Sequence, residues 1–595
     1  MRGAGAYPRA AMSRPRIPPH LAGALLLALA ACSAGDSEPR PSVLLVTLDT
    51  TRTDAIGCYG GPAGITPTVD TFAAAGLRFE RAYTPAPLTL PAHASLLTGL
   101  DPDQHGVRSN ESYALPEAQQ TLAEILREEG YRTGAFVASR VLAREFGLAQ
   151  GFERYDDELD EATTDDVTRV AERPADQVTD SLLAWLAEGR AEQPFFAWLH
   201  YYDPHYPHEL RPGQAPRFES TYHDEVHFAD SQLGRVREWL EREGRLDGTL
   251  VLITADHGEG QGEHDEDTHG YFLYEGTQHV PLVLSHPALP RRGVDAISAS
   301  LVDIVPTVLG FVGLGGVLPG VDLLDPARAS REPVYMEAEL GRIDFGLVPL
   351  RGAVDGELKL IDGPAPEVYD LVEDPGELRD LSTAGSTRAA ALRAWLGARP
   401  ETESADARYR PDSEASQRLR ALGYAGGAAD AEATRRDWTP AQLARWSREL
   451  TTGLRHYQEG DLEGAIRFLE PLVREVPGCF SGRRYLGMAL ARGGRAEEGL
   501  VHLEAAAASQ PDGSADLWWN VATGRALGGN GRGAEEALRE VVRLEPGHAR
   551  ALQKLAELAL GRGETAAARV HLQALVERAP ESVEARWARQ QLDRR

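Results

Sequence analysis

Residues 250–259 have the sequence LVLITADHGE, and this stretch gives the clearest indication of the fold class. Its first five residues are leucines and β-branched residues without a break, which is typical of a strand buried on both faces of a sheet. The run ends at two polar neighbours, Asp256 and His257. Because ligands of open α/β sheets lie outside the carboxyl ends of the strands, this stretch predicts a central strand that brings a carboxylate and an imidazole to a binding site.

Two further apolar runs end in a similar way. Residues 43–48 (VLLVTL) precede Asp49, and residues 195–199 (FFAWL) lead into a segment that contains His205. Between the apolar runs, hydrophobic residues recur at the spacing of amphipathic helices. This alternation predicts an α/β catalytic domain over residues 41–385, with a mostly parallel sheet flanked by helices.

Histidine is concentrated in the middle of the chain, where 12 of the 17 histidines lie within residues 93–286. The backbone turns where the 250–259 strand ends, so Asp256 and His257 can both face one ion. His264 and His269 can then approach from the loop that follows. The alternative interpretation is a solvated acidic loop, but the interleaved histidines and glycines favour a metal or acid–base site.

A threonine precedes a predicted helix. Residues 89–99 have the sequence TLPAHASLLTG, and Pro91 suits the first turn of a helix, where its missing N–H would have no partner. Thr89 would then lie at the helix N-terminus, where backbone N–H groups and the helix dipole favour an alkoxide or a bound phosphate or sulfate. Taken alone, a threonine at such a position is usually only a helix cap.

The C-terminal part of the chain, residues 436–595, is repetitive. Its prolines Pro477, Pro511, Pro546 and Pro580 are 34 or 35 residues apart, and small residues recur in phase with them. This period matches the tetratricopeptide repeat, in which each unit is a pair of antiparallel helices. We expect an all-α solenoid of about four repeats that binds a protein partner, or that serves instead as a spacer or dimerisation unit.

Length and charge limit the remaining possibilities. The chain has 595 residues, more than one hydrophobic core usually serves, so at least two domains are expected. Residues 386–435 are rich in Ala, Arg and Glu and are predicted to link them. A net charge of −28 argues against a nucleic-acid partner.

The N-terminus has the features of an export signal. Arginines precede the apolar run 21–31, which is too short to span a bilayer. The run leads into LAAC at 29–32, which resembles a bacterial lipobox, in which the signal is cleaved and the cysteine, here Cys32, is lipidated. The resemblance implies that residues 1–32 are a lipoprotein signal peptide and that a lipid anchor holds the protein in the bacterial envelope, at the outer membrane or facing the periplasm. The alternative is a plain secretory signal.

Motifs in the α/β region resemble those of the sulfatase family, within the alkaline phosphatase superfamily, and they occur in the order of that family. The matching stretches are 48–54 (LDTTRTD), 57–60 (GCYG), 66–67 (TP), 96–99 (LLTG), 105–107 (HGV), 203–205 (DPH), 274–276 (YEG), 280–282 (VPL), 302–307 (VDIVPT), 368–371 (VYDL) and 374–375 (DP). The resemblance implies the α/β fold of that family and a metal-dependent enzyme that acts on esters.

The chain departs from the sulfatase pattern at the nucleophile. Sulfatases carry Cys-x-Pro-x-Arg, whose cysteine becomes formylglycine, but here Thr89 stands at the cysteine position and His93 at the arginine position. Threonine cannot become formylglycine. Together with Asp49, Asp256 and His257, Thr89 resembles the threonine-nucleophile members of the superfamily, which handle phosphodiesters through a phosphothreonine. These members are nucleotide pyrophosphatases, phosphoethanolamine transferases and lipoteichoic acid synthases.

The resemblance implies a divalent metal held by Asp49, Asp256 and His257. Imidazole among the ligands suits Zn²⁺ or Mn²⁺ better than Ca²⁺, which prefers oxygen ligands but is also compatible with the site. A metal ion is also the usual means by which an acidic protein neutralises an anionic ester, whether that ester is small or polymeric.

The resemblance also implies roles for five further side chains. Thr89 would be the nucleophile, and His205 and His269 would act in catalysis by protonating the leaving group or holding oxygens of the ester. His93 and His264 would bind the substrate.

Three functions remain open at this point. The first is a phosphodiesterase or phosphoalcohol transferase with a threonine nucleophile. The second is a sulfuric ester hydrolase that uses threonine in place of formylglycine. The third is an inactive sulfatase fold that serves the repeats as a scaffold, although the retained Asp-His pair argues against it.

Overall fold

The computed structural model describes most of the chain from residue 40 onward. The described residues are 40–110, 113–159, 173–190, 192–210, 215–316, 318–327, 333–399, 407, 437–508, 515–580 and 582–593. Those from Ser42 onward form one compact unit. The predicted signal peptide with Cys32 and most of the predicted linker lie outside the described residues and stay predictions. Within the described part, no helix has the length and apolar character needed to cross a membrane.

The first sheet is built from strands β1 to β9. Their bounds are β1 Ser42–Leu48, β2 Leu77–Tyr83, β3 Arg132–Phe136, β4 Arg154–Asp156, β5 Phe195–Tyr201, β6 Thr249–Ala255, β7 His279–Ser285, β8 Gly293–Asp295 and β9 Ala299–Ser300. The strand order is β4-β3-β5-β1-β6-β7-β2-β8, with β9 also paired to β2. The strands from β4 to β6 in this order are parallel, whereas β7 is antiparallel to both of its neighbours.

The central strands are buried on both faces, as their apolar sequences predict. In β1, Val43 and Leu45 point into one hydrophobic core, and Leu44, Val46 and Leu48 point into another. The same alternation holds along β5 and β6. Each of these strands therefore needs a layer of helices on either side.

Helices cover both faces of the first sheet. Their bounds are α1 Pro67–Ala75, α2 Thr89–Thr98, α3 Pro102–His105, α4 Leu122–Glu128, α5 Ala175–Glu188, α6 Thr221–Arg242, α7 Glu275–Gln278 and α8 Ile304–Phe311. Residues of α1, α5 and α6 belong to one core, and residues of α2, α4 and α8 belong to the other. The predicted mostly parallel sheet with flanking helices is confirmed.

A second, smaller sheet was not predicted. Its four antiparallel strands are β10 Val334–Ala338, β11 Leu350–Asp355, β12 Leu358–Asp362 and β13 Glu367–Asp370, in that order across the sheet. Two further helices accompany it, α9 (Leu340–Phe345) and α10 (Thr387–Ala398). Helix α10 lies in the predicted linker, and its Leu392 and Leu396 are buried against this sheet. The start of that segment therefore packs on the second sheet.

The C-terminal part is all-helical, and the predicted tetratricopeptide solenoid is confirmed. Its helices are α11 Pro440–Gln458, α12 Leu462–Glu475, α13 Phe480–Arg492, α14 Ala496–Ala508, α15 Ala515–Leu527, α16 Gly531–Leu544, α17 Ala549–Gly561, α18 Thr565–Arg578 and α19 Val583–Asp593. Four turns within helix pairs contain a glycine with positive φ, at Gly460, Gly494, Gly529 and Gly563. Recurrence of this turn keeps the pairs in phase along the chain.

A buried ion triad joins the second sheet to the first. Lys359 of β12 is fully buried, and its Nζ lies 2.9 Å from Glu275 Oε1 of α7 and 2.8 Å from Glu377 Oε1. Burial alone would lower the pKa of Lys359, but the two carboxylates raise it above its ordinary value. The lysine therefore stays charged and compensates two carboxylates that lie away from solvent.

Replacing Lys359 by methionine tests this triad. We expect Lys359→Met to lower the free energy of unfolding by about 3–5 kcal/mol, because it leaves buried carboxylates without their partner. The matched control is Arg388→Met, since the Arg388–Asp355 pair is about half exposed on both sides. That control should cost less than about 1 kcal/mol. Urea unfolding measures both, and equal losses would contradict the assignment.

Candidate active site

The ends of β1 and β6 bring two aspartates together. Leu48 pairs with both Tyr201 of β5 and Ala255 of β6, so the residues that follow these strands share one edge of the sheet. The Asp49 N–H donates to the Tyr201 carbonyl at 2.9 Å. Asp49 and Asp256 are both fully buried at this edge. The strand register, rather than any local contact, makes them neighbours.

Asp49, Asp256 and His257 form a candidate metal-binding cluster. One ligand atom from each lies within 4.8 Å of the others. Among the described residues, Asp49 Oδ1 and Asp256 Oδ2 are buried and have no hydrogen-bond partner. Two carboxylate oxygens in this state are costly unless a cation accepts them. The donor set therefore fits a divalent metal ion.

The pKa values of the two aspartates diverge. Burial, followed by repulsion from Asp256, raises the pKa of Asp49 well above its ordinary value. Burial also acts to raise the pKa of Asp256, but His257, His93 and His200 together hold it below its ordinary value. Without a cation, one of the two carboxyl groups therefore ionises far more easily than both together.

The turn after β1 is strained. Thr50, a β-branched residue, has a φ of 48°, in the left-handed region that such residues rarely adopt. In this conformation its N–H donates to Asp256 Oδ1 at 3.2 Å, and its hydroxyl donates to the Pro204 carbonyl at 3.0 Å. The His257 N–H also donates to Asp256 Oδ1, at 2.8 Å. Two donors thus orient one oxygen of Asp256 and leave the other facing the cluster.

Thr89 is the first residue of α2, whereas the sequence predicts it just before the helix. Its Oγ1 lies 3.4 Å from His257 Nε2. His257 Nδ1 lies 2.8 Å from the Gly258 carbonyl oxygen, which can only accept, so Nδ1 carries the hydrogen. The Nε2 lone pair therefore faces the threonine hydroxyl and the aspartates. The structure brings together Thr89, Asp49, Asp256 and His257.

His93 is fully bonded to the protein. Its Nδ1 donates to the Thr89 carbonyl at 2.8 Å, and its Nε2 accepts from the Thr47 hydroxyl at 3.1 Å. The Thr47 oxygen in turn accepts the Trp198 indole N–H at 3.1 Å. Burial lowers the pKa of His93 to about 3, so the ring is neutral. His93 thus lies beneath Thr89, in a chain of hydrogen bonds that runs through Thr47 to Trp198 in the sheet. Both of its ring nitrogens are bonded to the protein, so neither is available for the substrate-binding role predicted from the sequence.

His269 and His205 lie beside His257. The ring centroids of His257 and His269 are 4.4 Å apart, and those of His205 and His269 are 5.4 Å apart. His269 Nδ1 lies 3.0 Å from Glu259 Oε1, and His205 Nδ1 lies 2.6 Å from the Tyr206 carbonyl oxygen. Burial lowers the pKa of His269 to about 4 and that of His205 to about 3. Both imidazoles are therefore neutral near pH 7.

His264 lies apart from this group. Its Nε2 is 3.1 Å from the Gly376 carbonyl oxygen, and its ring stacks on Tyr274 at a centroid distance of 3.8 Å. It lines a separate cavity of about 550 Å³ between the two sheets, together with Arg52, Glu263 and Glu377. The structure does not bring His264 to Thr89, because its contacts with Gly376 and Tyr274 hold the ring at this cavity.

Two polar residues at the site have no role assigned from the sequence, although His200 follows the predicted strand 195–199. His200 Nδ1 accepts the Ala138 N–H, so its Nε2 donates to Asp49 Oδ2 at 3.2 Å. Asn110 Oδ1 accepts the Leu90 N–H at the start of α2, and its buried Nδ2 has no hydrogen-bond partner among the described residues. His200 continues an apolar strand, which was a usable signal, whereas nothing local marks Asn110.

Two protein-family models match the chain. The model described as Sulfatase matches residues 41–314, and a model described as Tetratricopeptide repeat matches residues 528–592. The second match agrees with the helix pairs of the C-terminal part.

Individual proteins are also similar to the chain. The "Uncharacterized sulfatase YidJ" of Escherichia coli is 27% identical over 422 residues, which cover 58% of this chain and 83% of that protein. The "Delta 4,5-hexuronate-2-O-sulfatase" of Bacteroides thetaiotaomicron is 23% identical over 426 residues, with coverages of 60% and 88%. A structure solved in complex with its substrate D-glucosamine-2-N,6-O-disulfate has a TM-score of 0.51 at 20% identity and covers 60% of this chain and 97% of its own, which shows a shared fold.

The neutral histidines predict a loss of stability in acid. Burial lowers the pKa of five histidines to about 3 or about 4, namely His93, His105, His200, His205 and His269. Each binds a proton more readily in the unfolded chain, where its pKa is about 6.5. Their contribution is therefore complete above pH of about 6.5 and is lost as the pH falls toward the folded pKa values.

Urea unfolding at a series of pH values from about 7.5 to about 4.5 measures this loss. We expect the free energy of unfolding to fall steadily below pH of about 6.5. His105→Gln should reduce the slope of the free energy of unfolding against pH by the equivalent of up to about one bound proton. The reason is that His105 accepts the Val107 N–H only when the ring is neutral. A stability that is independent of pH over this range would contradict the neutral assignment.

Proposed function

We propose, from the match of residues 41–314 to the sulfatase family model, that this chain is a metal-dependent hydrolase of anionic esters whose nucleophile is Thr89. The observation that carries the proposal is the position of the Thr89 hydroxyl, 3.4 Å from His257 Nε2 and next to two unpaired carboxylate oxygens. A threonine that served only as a helix cap would precede the helix and bond one of its backbone N–H groups, whereas Thr89 is the first residue of α2 and its hydroxyl lies against His257 Nε2.

Asp49, Asp256 and His257 would hold the metal. When bound, a divalent ion there would supply positive charge that neutralises an anionic ester and favours the ionised form of the nearby hydroxyl. Because imidazole is one of the three donors, Zn²⁺ or Mn²⁺ suits the set better than Ca²⁺. The single lone pair of His257 Nε2 then serves as a ligand, so His257 would not also accept the Thr89 proton.

Thr89 would act by double displacement. The Thr89 hydroxyl loses its proton to solvent as Oγ1 forms a bond to the phosphorus of a diester. The bond from phosphorus to the first alcohol breaks, and that alcohol leaves with a proton from a protonated His205 or His269. Water then attacks the phosphothreonine, the Thr89 oxygen–phosphorus bond breaks, and a monoester is released. The Thr89 N–H at the start of α2 and the Asn110 amide, whose Nδ2 has no partner among the described residues, would hold a non-bridging oxygen.

His205 and His269 would assist the leaving group. Both are neutral in the free protein because burial lowers their pKa values. A bound anion would raise both pKa values, because a nearby opposite charge favours the protonated imidazole. Once protonated, either ring would donate to a non-bridging oxygen or to the departing alcohol. Glu259, which accepts the His269 Nδ1–H, would stabilise the charged ring.

Phosphate is the first choice of ester because the nucleophile is a threonine. The formylglycine of sulfatases expels sulfate by collapse of a hemiacetal, and a threonine ester has no such route. A sulfuric ester is the second candidate, since two of the similar proteins are named or titled for sulfated sugars. An exported, lipid-anchored enzyme would meet such esters as sugars or polymers of the envelope.

Substitution of Thr89 tests the nucleophile. We expect Thr89→Ala to lower turnover at least about 10³-fold, because it removes the atom that forms the covalent ester, while metal content is unchanged. Thr89→Ser keeps the hydroxyl and should retain measurable turnover. The matched control is Thr98→Ala in the same helix, whose hydroxyl donates to the Ala94 carbonyl and accepts the Leu100 N–H, and its turnover should stay near that of the wild type.

The assay compares nitrophenyl phosphate, bis-nitrophenyl phosphate and nitrophenyl sulfate. Preference for the diester would support the phosphate proposal, and preference for the sulfate would support the second candidate. Equal turnover by wild type and Thr89→Ala would sink the assignment of the nucleophile. If the protein cleaves none of the three esters and binds no metal, an inactive sulfatase fold that serves the repeats as a scaffold would become the best explanation.

Removal of the metal tests the cluster. We expect a chelator to abolish turnover and Zn²⁺ or Mn²⁺ to restore it, because the unpaired oxygens need a cation. Asp256→Asn should lose the bound metal, as measured by elemental mass spectrometry. Asp230→Asn is the matched control, since Asp230 is buried but accepts the backbone N–H groups of Thr68 and Val69. Metal retained in Asp256→Asn, or lost equally in both variants, would contradict the cluster.

A further inference from the structure

The loop Gly258–Tyr274, called the histidine loop below, links the active site to the repeats. Its first residues follow His257, and it carries Glu259 and His269, the hydrogen-bonded pair at the site. The loop doubles back on itself, since the Gly260 N–H donates to the Thr268 carbonyl at 3.1 Å. The position of His269 thus depends on what holds the second half of the loop.

The second half of the histidine loop lies in a core shared with the repeats. Its residues 271–274, three of them aromatic, are buried in one hydrophobic cluster with strands of the second sheet and with α11, α12 and α13. The ring of Phe345 in α9 lies between Tyr271 and Trp446 of α11, at centroid distances of 5.9 Å and 6.0 Å. The first repeats are therefore part of the packing around the catalytic domain.

Asp344 connects the loop to the repeats by hydrogen bonds. The Tyr271 hydroxyl donates to Asp344 Oδ2 at 2.7 Å, and the Ser481 hydroxyl of α13 donates to Asp344 Oδ1 at 2.8 Å. All three side chains are buried. Burial raises the pKa of Asp344, while the two hydroxyls act to lower it. Each hydroxyl satisfies one oxygen of a buried carboxyl, so loss of either leaves that oxygen without its partner.

A second, exposed contact carries less weight. Arg448 of α11 makes ion pairs with Asp265 and Asp267 at the tip of the loop, at 3.0 Å and 2.9 Å. These side chains are between 43% and 69% exposed, and such pairs contribute little to stability. The buried bridge through Asp344 is therefore the contact that can hold the loop in one position.

Gly270, the residue after His269, packs closely against α9, the helix that carries Asp344. It has a φ of 96°, and a Cβ there would lie 2.4 Å from Leu340 Cδ1 of α9 and 3.1 Å from Leu88 Cδ2. The chain next to His269 thus passes between the residue before Thr89 and the helix that carries Asp344. A shift of α9 would press directly on the backbone beside His269.

We propose that Asp344 and Ser481 are positioning residues of the active site. Through them, the first repeats hold the histidine loop in the conformation that places His269 beside His257. The inference rests on the proposed function for the role of His269, but the mechanical link from Ser481 to the loop does not. A repeat domain in this position is a structural component of the enzyme, and not only an appended binding module.

The test compares Ser481→Ala with Ser447→Ala. Ser447 lies in α11, is equally buried, and bonds only the Ala444 carbonyl of its own helix. We expect Ser481→Ala to lower kcat about tenfold with little change in KM, because the ester still binds but His269 is held less well. Ser447→Ala should leave both constants near wild type. Tyr271→Phe breaks the other arm of the bridge, and its effect should be non-additive with Ser481→Ala.

Hydrogen exchange of the intact protein provides a readout that needs no turnover. Peptides covering residues 259–270 should exchange faster in Ser481→Ala and Tyr271→Phe than in wild type and Ser447→Ala. Unchanged exchange in Ser481→Ala would overturn the inference whatever the activity, as would faster exchange in an active enzyme with unchanged kcat. Faster exchange in a protein that cleaves no ester would instead refute the proposed function and leave the link between repeats and loop standing.

Discussion

Two buried carboxylates of like charge, Asp49 and Asp256, set the constraint to which the rest of the catalytic domain responds. They follow neighbouring parallel strands, and the register of β1 with β6 forces them to the same point. Buried charges that lack partners cost several kcal/mol each, by a general estimate. Backbone and imidazole donors offset part of this cost by bonding one oxygen of each aspartate. The other oxygen of each has no partner among the described residues, and the proposed cation would lie there.

Four of the surrounding histidines are neutral because burial lowers their pKa values, and a neutral imidazole both donates and accepts one hydrogen bond: His93, His200, His205 and His269. In the chain from Trp198 through Thr47 to His93, each donor and acceptor is matched, and the last N–H holds the Thr89 carbonyl. A charged arginine at position 93 would need an anionic partner, whereas a neutral imidazole needs only a hydroxyl and a carbonyl. The proposed threonine nucleophile and the histidine four residues later therefore form a consistent pair.

Several elements follow from the sequence because their cause is local. The strands β1, β5 and β6 are continuous apolar runs, and burial on both faces is the only environment that suits them. Pro91 places the start of α2 close to Thr89, and the proline period gives the repeats. The second sheet is different, because its short antiparallel strands carry mixed residues whose inward face depends on the helices packed on it. The same holds for α10, in which alanines predominate and the only large apolar residues are Leu392, Trp395 and Leu396.

The sequence by itself determined which chemical groups are present at the strand ends, and therefore Asp49, Asp256, His257 and the threonine near them. The position of each histidine, by contrast, follows only from the tertiary structure. His269 faces the site and His264 bonds the Gly376 carbonyl, whereas both ring nitrogens of His93 are hydrogen-bonded to other protein groups. The tertiary structure also decided that the repeats pack against the histidine loop. The physical reason is that the role of an imidazole depends on its burial and on the partners of its two nitrogens. Those partners come from residues far away in the chain, which sequence spacing does not reveal.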